Sequence, residues 1–418
     1  MVINPVATVL FVSYNYLSML ALYNSLSKKK EPFATLQKNK VLMYVCGITP
    51  YDTTHLGHAF TYIFFDVLSR YLTFKGYKVT YTQNVTDVDD DILRKAKETN
   101  RNWKELGQFW TNKFVEDMKK LNVLPPTHYV KATDSIALMI RIIEVLIEKD
   151  FAYEKKENVY FEIDKFKDYG KLSGFSSEKM FILSKERGGN PDDKLKKNPL
   201  DFLLWQKSRL NEPIWKSPWG PPAGGGRPGW HIECSAMISE YLGNQIDIHG
   251  GGRDLIFPHH ESEIAQTESY TKKKPFVKFW MHTGMLMYKG EKMAKSLGNL
   301  VMVSDLLKNY TPNEIRWVLI SHHYRKPWEF EETELNFART CLSKISNLLK
   351  GIRNKGIKIK DNQNINEFTI FMDDDMDTPE LVKYIIKLTV KITNESDKPQ
   401  KILMLQSLSI MLNILGFT

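Results

Sequence analysis

Three consecutive stretches constrain the fold before anything else does. KVLMYVCG (40–47) is a short apolar run ending in glycine, the pattern of a buried strand that delivers a loop at its carboxyl end. HLGHAFTYIFFDVLSRYLTFKG (55–76) carries apolar residues at helical spacing and stops at Gly76. YKVTYTQNVTDVDDD (77–91) is a second strand that ends in polar residues. Strand, helix and strand in that order make a parallel βαβ unit, so an α/β protein on a parallel sheet is expected. In open sheets of this kind the ligand crevice lies beyond the carboxyl ends of the strands. Cys46, His55, His58 and the segment from Asn84 to Asp91 are therefore expected to face one cleft.

The remaining chain divides by texture. Residues 1–18 include an apolar run without a basic leader, interrupted by Asn4, Asn15 and Ser18, and are expected to be an extension absent from the mature protein or a misassigned start. The first α/β segment is then 19–130. From 131 to 225 a helix (SIALMIRIIEVLIEKDF), a strand (NVYFEI) and a polar stretch with ERGGNPDDKLKKNP have the character of an inserted α/β domain. Residues 226–334 return to alternating strands and helices, and 335–418 form a helical bundle.

With 418 residues the chain has room for two or three domains sharing a core. Its formal charge of +9 favours an anionic partner such as nucleic acid, with a solubilising lysine surface as the alternative. Three scattered cysteines exclude a disulfide framework and point to a reducing compartment, the cytoplasm, with no membrane partner.

Several groups carry chemistry. In IHGGGRDLIFPHHESEIAQTES (248–269) Pro258 opens a helix that places His259 and Glu263, four residues apart, on one face. With Cys46 and Cys234 they make a possible Cys₂HisGlu site suited to zinc, the alternative being that each cysteine is a small buried hydrophobe. His55 and His58 lie where a strand hands over to a helix amino terminus, a phosphate site, or else form a local metal site with Cys46. GEKMAKSLGN (290–299) sets Lys292 and Lys295 between glycines, as a mobile phosphate-following loop or a solvated turn. DVDDD (87–91) and DDDMDTP (373–379) are expected to cap helices, since neither has the glycine and terminal glutamate of a calcium loop.

HLGH after the first strand and KMAKS late in the chain resemble the paired signatures of class I aminoacyl-tRNA synthetases. Within that class MYVCGITPYD, NVTDVDDDI, RPGWHIECSAM, DIHGGGRDLIFPHHESEIAQ and WMHTG, spanning Met43 to Asn299, are similar to the cysteinyl-tRNA synthetase pattern. The resemblance implies a Rossmann-type catalytic domain with an inserted α/β domain and a C-terminal α-helical bundle that binds tRNA. It implies one Zn²⁺ per chain on Cys46, Cys234, His259 and Glu263, and Mg²⁺ accompanying ATP. It further implies ATP contacts from His55, His58, His249, Asp254, Lys292 and Lys295, and L-cysteine contacts from Thr49, Thr86 and Trp230. Of these, His55, His58, Lys292 and Lys295 are the expected catalytic residues. The implied reaction is activation of L-cysteine to its adenylate and transfer to tRNA(Cys), without editing. Ala294 departs from the commoner serine of the lysine loop.

The resemblance forks. GITPYDTTHLGHAFTY, WKELG, VLPPTHYV and ERGGNPDDK are also similar to the cysteine ligase of mycothiol biosynthesis, which joins cysteine to glucosaminyl-inositol. A catalytically inactive RNA-binding paralogue is the third reading.

Overall fold

The computed structural model describes residues 19–220, 225–293, 297–350 and 362–418. The expected extension 1–18, part of the glycine-rich loop at 221–224, Ala294 and Lys295, and residues 351–360 of the basic stretch KGIRNKGIKIK lie outside the described residues.

A short antiparallel hairpin, β1 (Ala21–Asn24) and β2 (Lys29–Pro32), leads into the βαβ unit. Its members are β3 (Lys40–Ile48), α1 (Leu56–Phe74) and β4 (Lys78–Val85). The two strands pair in parallel from Lys40 opposite Lys78 to Ile48 opposite Val85. β3 is buried on both faces through Val41, Met43, Tyr44 and Val45, as a central parallel strand must be. α1 buries Phe60, Ile63, Phe64, Val67, Leu68 and Tyr71, and the turn after it is made by Gly76 at a left-handed φ of 91°.

α2 (Asp90–Glu98) and α3 (Trp103–Lys120) precede β5 (His128–Lys131), which pairs in parallel with β4. Asp89 caps α2, its side chain accepting from the Asp91 N–H. Next come α4 (Ile136–Glu148), β6 (Ala152–Lys155), β7 (Asn158–Phe161), α5 (Ser177–Glu186), β8 (Phe202–Lys207) and β9 (Gly226–Pro228). The four strands form an antiparallel sheet in chain order. Its inner face, with Phe161 stacked on Phe202 and Trp205 fully buried, shares a core with the helix that follows.

That helix, α6 (Trp230–Tyr241), returns the chain to the main sheet through β10 (Ile246–Gly252), α7 (His259–Thr271) and β11 (Val277–Thr283). The sheet order is β11-β10-β3-β4-β5, all parallel. The chain departs from β3 to one side and comes back on the other. The carboxyl ends of β3 and β10 therefore flank the switch point where ligands bind in sheets of this type. Close approach there is enforced by glycine: a Cβ on Gly250 would lie 2.1 Å from the Phe65 ring of α1, and one on Gly47 would lie 1.6 Å from the Asn84 carbonyl oxygen.

Beyond the sheet lie β12 (Leu286–Tyr288), β13 (Glu291–Lys292), α8 (Val303–Leu306), α9 (Pro312–Ile320) and β14 (Trp328–Glu329). The helical end comprises α10 (Glu332–Leu349), α11 (Gln363–Asp373), α12 (Thr378–Asn394) and α13 (Lys398–Ile414). Asp377 caps α12, the role expected of the second acidic cluster. α11 was not anticipated from the sequence. Arg316 on α9 fastens this end to the sheet. It is fully buried, pairs with Asp66 of α1, and donates to the carbonyls of Leu121 (2.9 Å) and Leu415 (2.5 Å). Removing one partner of such a buried, fully bonded pair costs about 3–5 kcal/mol.

Candidate functional site

The carboxyl ends of β3, β10 and β11 open onto a cavity of about 440 Å³. Cys46, Thr49, His55, His58, Trp230, Asp254 and Lys292 all line it. Sequence reasoning named each of these, and the fold brings them together from five separate segments.

One end of the cavity is a buried cluster. Cys46 comes from the end of β3, Cys234 from α6, and His259 and Glu263 from successive turns of α7. The sulfurs are 3.9 Å apart. His259 Nε2 lies 3.4 Å from Cys234 Sγ and 3.1 Å from Glu263 Oε1, and Cys46 Sγ lies 4.0 Å from Glu263 Oε1. A tetrahedral ion with bonds of about 2.3 Å to sulfur and about 2.0–2.2 Å to nitrogen and oxygen requires edges of about 3.8 Å between sulfurs and about 3.4–3.6 Å for the mixed pairs. Each measured edge is within half an ångström or so of those values. The four donors can hold a metal ion, and two thiolates, an imidazole and a carboxylate suit zinc.

A second four-donor grouping in the same place substitutes His249 and His260 for Cys234 and His259. The softer donor set of the first grouping, with two sulfurs, suits zinc better. His249 Nε2 is 3.0 Å from Glu263 Oε2, and because a carboxylate only accepts, that nitrogen carries its proton. His249 instead fixes the carboxylate and leaves Oε1 for the ion. His259 Nδ1 meets His231 Nδ1 at 3.0 Å, which holds the ring with Nε2 turned inward. With Cys46 as thiolate, a chain of donors runs to it. Ser25 Oγ donates to His282 Nδ1 (2.8 Å), His282 Nε2 to His260 Nδ1 (2.8 Å), and His260 Nε2 to the sulfur (3.3 Å).

Burial would lower His259, but Cys234 and Glu263 outweigh it and raise it to about 10, so a bound cation would take the place of a proton on this ring. Burial alone would raise Glu263, but His249 and His259 outweigh it and bring the carboxyl down to about 2. Burial also opposes ionisation of Cys234, yet the hydrogen bonds from Cys46 and His259 lower it to about 6. Burial, followed by the neighbouring Cys234, pushes Cys46 well up. Burial keeps His260 and His282 neutral, the latter down to about 3.

The other end of the cavity is built on the start of α1. His55 caps the helix, its Nδ1 accepting from the Gly57 N–H at 3.1 Å, and its ring stacks on His58 at 3.7 Å. Burial lowers His55 to about 4 and His58 well below its usual value. Both are thus neutral imidazoles, and His55, with Nδ1 occupied as acceptor, presents Nε2–H as a donor. His58 Nδ1 is buried without a partner among the described residues. Together with the helix amino terminus these groups offer hydrogen bonds to an anion, while net positive charge comes from Lys292, exposed on β13.

Trp230 lies over the His259 ring at 4.3 Å and so walls the cavity directly above a candidate metal donor. Two expected contacts sit elsewhere. His249 is fully buried on the metal cluster rather than on the cavity wall, because its strand position points it at α7. Thr86 is buried beneath the wall, accepting from Asn84 Nδ2 at 3.1 Å, while Asn84 Oδ1 accepts from the Gly47 N–H at 2.7 Å. The supporting histidines 231, 260 and 282 were given no role from sequence, although each stands in a quoted motif, GWHIEC, PHHE or WMHTG.

A parallel sheet with this switch-point cleft, a histidine pair at the first helix and Lys292 just beyond the sheet's last strand, β11, fit a class I aminoacyl-tRNA synthetase. Residues 32–340 match the family described as tRNA synthetases class I (C) catalytic domain. A cysteine--tRNA ligase of Thermococcus onnurineus is 45% identical over 397 residues, covering 91% of this chain and 82% of that one. One of Legionella pneumophila is 45% identical over 406 residues, covering 96% and 85%. Among solved structures, Mycobacterium tuberculosis methionyl-tRNA synthetase in complex with methionyl-adenylate shares the fold. Its TM-score is 0.63 at 14% identity, over 90% of this chain and 89% of that one. The chain belongs to the cysteine--tRNA ligase family.

Proposed function

We propose that the chain activates L-cysteine with ATP, releasing pyrophosphate, and passes the cysteinyl group to the 3′ end of tRNA(Cys). The observation that carries this is the placement on one cavity of a buried cluster of two cysteines, a histidine and a glutamate that can hold a metal ion, with Cys46 on its wall, and of a helix amino terminus with two neutral histidines. The ion proposed is one Zn²⁺ on Cys46, Cys234, His259 and Glu263, and when bound it supplies the Lewis acidity that keeps a substrate thiol deprotonated at neutral pH.

Around that cluster the chain's own groups orient the substrate. Trp230 closes one side of the amino-acid pocket and Thr49 offers a hydroxyl; Thr86, one layer back, supports the wall through Asn84. The serine side chain does not ionise at neutral pH, so a site built around thiolate rejects it by about 10⁴ to 10⁵, enough to dispense with editing.

ATP enters at the other end, accompanied by Mg²⁺. His55 and His58 donate hydrogen bonds to its phosphates and Asp254 lies beside the nucleotide. The cysteine carboxylate oxygen attacks the α-phosphorus in line, the bond from that phosphorus to the β-phosphate oxygen breaks, and pyrophosphate leaves. Lys292 and Lys295 neutralise the charge that develops. In this reading 19–130 and 226–334 perform catalysis, 131–225 is the inserted domain, and the helical 335–418 binds tRNA. The compartment is the cytoplasm; among the described residues no helix is long and apolar enough to cross a membrane.

The relatives' shared name supports tRNA over an amino sugar as acceptor, and the lysine loop with its intact Lys292 supports catalysis over an inactive paralogue. The test supplies ATP and labelled cysteine with either total tRNA or glucosaminyl-inositol. Label on the 3′ end of tRNA is expected. Label only in the sugar amide, or no ATP–pyrophosphate exchange, would overturn the reading.

A further inference from the structure

A second cavity, of about 370 Å³, lies where the first turns of α3 face the chain leaving β5. Trp103, Lys104, Gln108 and Lys131 line it, with the carboxylates of Glu105 and Asp134. Its back is braced by Asp87, which accepts from the backbone N–H (3.0 Å) and hydroxyl (2.6 Å) of Thr133. Trp103 meets the Trp215 ring nearly perpendicularly, centroids 6.3 Å apart. Lys131 donates to Gln108 Oε1 at 2.8 Å, and Lys104 Nζ stands 5.5 Å from the Trp103 ring centre. Neither lysine is paired with a carboxylate among the described residues.

The lining is selective in a specific way. An indole stacks on any base, and two ammonium groups with no carboxylate in bonding distance among the described residues can turn toward a phosphate, although Asp87, Glu105 and Asp134 line the same cavity. Glu105 and Asp134 repel a bare anion but accept from the amino groups of adenine, guanine or cytosine. A ligand must therefore bring a phosphate, a flat ring and N–H donors together, which is the chemistry of a nucleotide. The segment Asp87–Asp91 borders both cavities, Asp87 this one and Asp91 the catalytic one. The second cavity therefore neighbours the catalytic cleft that the 3′ end of the acceptor would enter.

We propose that this cavity takes an unstacked nucleotide of the tRNA acceptor arm, its base on Trp103 and its phosphate between Lys104 and Lys131. The proposal rests on tRNA being the acceptor. The test measures the KM and Kd for tRNA in the full-length zinc-loaded enzyme, alongside cysteine-dependent ATP–pyrophosphate exchange. Replacing both surface lysines (Lys104→Ala with Lys131→Ala) should raise both tRNA constants about tenfold at low salt and reduce the salt slope of log Kd by roughly 1.4, two single-strand contacts. Trp103→Leu should weaken tRNA binding by about tenfold or more. Exchange should be unchanged throughout. Unaltered tRNA constants in the lysine variant, or exchange falling in parallel, would overturn the proposal. So would competition by free AMP that vanishes in the variants while the KM for tRNA stays fixed, since that assigns the cavity to a small nucleotide. A wild-type enzyme that charges no tRNA defeats the acceptor reading itself, a separate result.

Discussion

The two ends of the catalytic cavity are made by different means. Cys46, Cys234, His259 and Glu263 project from a strand and two helices and are buried, and all but Cys234 are held by a further side chain. His55 and His58 belong to one helix start and carry no charge, and the phosphate task proposed for them is shared with Lys292 on an exposed two-residue strand. In the proposed function, recognition of the amino-acid side chain is thus preorganised in the interior, whereas neutralisation of the phosphates depends on cations at the surface. Preorganised donors act through geometry, so their loss removes binding; cations that meet developing charge act on rate.

The largest effect that separates the two ends is expected from Cys234→Ser. It should release the metal and take cysteine-dependent exchange to the detection limit while ATP affinity stays within about twofold. Full exchange by metal-free protein would erase the distinction. Lys292→Ala should lower the exchange rate by about 10² to 10³ with the KM for cysteine little changed. An equal rise in that KM would mean that the lysine also serves binding.

A smaller effect sharpens the picture of the enclosed end. His249→Leu removes the bond to Glu263 Oε2, and metal affinity, measured by chelator competition, should fall about 10- to 100-fold. If His249 served the nucleotide instead, the metal would be unaffected and the KM for ATP would rise. The smallest concerns His55. Burial holds it at about 4 against an unfolded value near 6.5, so the unfolded chain takes up a proton that the fold excludes. The stability tied to this group is complete above about pH 6.5 and is lost progressively as pH falls toward 4. In denaturant titrations His55→Asn should show a shallower decline over that interval than the wild type.

Legibility followed the same division. The βαβ unit was readable because β3 and α1 have different periods, and the pairing of His259 with Glu263 because four residues make one helical turn. The full donor set was not readable from spacing, since 188 residues separate the two cysteines and only the sheet joins them. His249 escaped for a related reason. A strand buried on both faces gives no polar alternation to say which way a residue points, and the glycines after it suggested a nucleotide loop. α11 lacked a signal because QNINEFTIFMD is short and mixed, its start marked only by the Asn362 cap. The supporting histidines stood in familiar motifs, but a partner's role depends on distances that sequence does not carry.

Most direct is a spectroscopic titration of enzyme in which Co²⁺ replaces Zn²⁺. If the enclosed end selects its substrate as a thiolate, adding L-cysteine should produce a new near-ultraviolet sulfur-to-cobalt band that saturates at one equivalent, on top of the band from Cys46 and Cys234. L-Serine should produce none. Cysteine that binds, and is activated, with the cobalt spectrum unchanged would contradict selection of the thiol at the buried cluster.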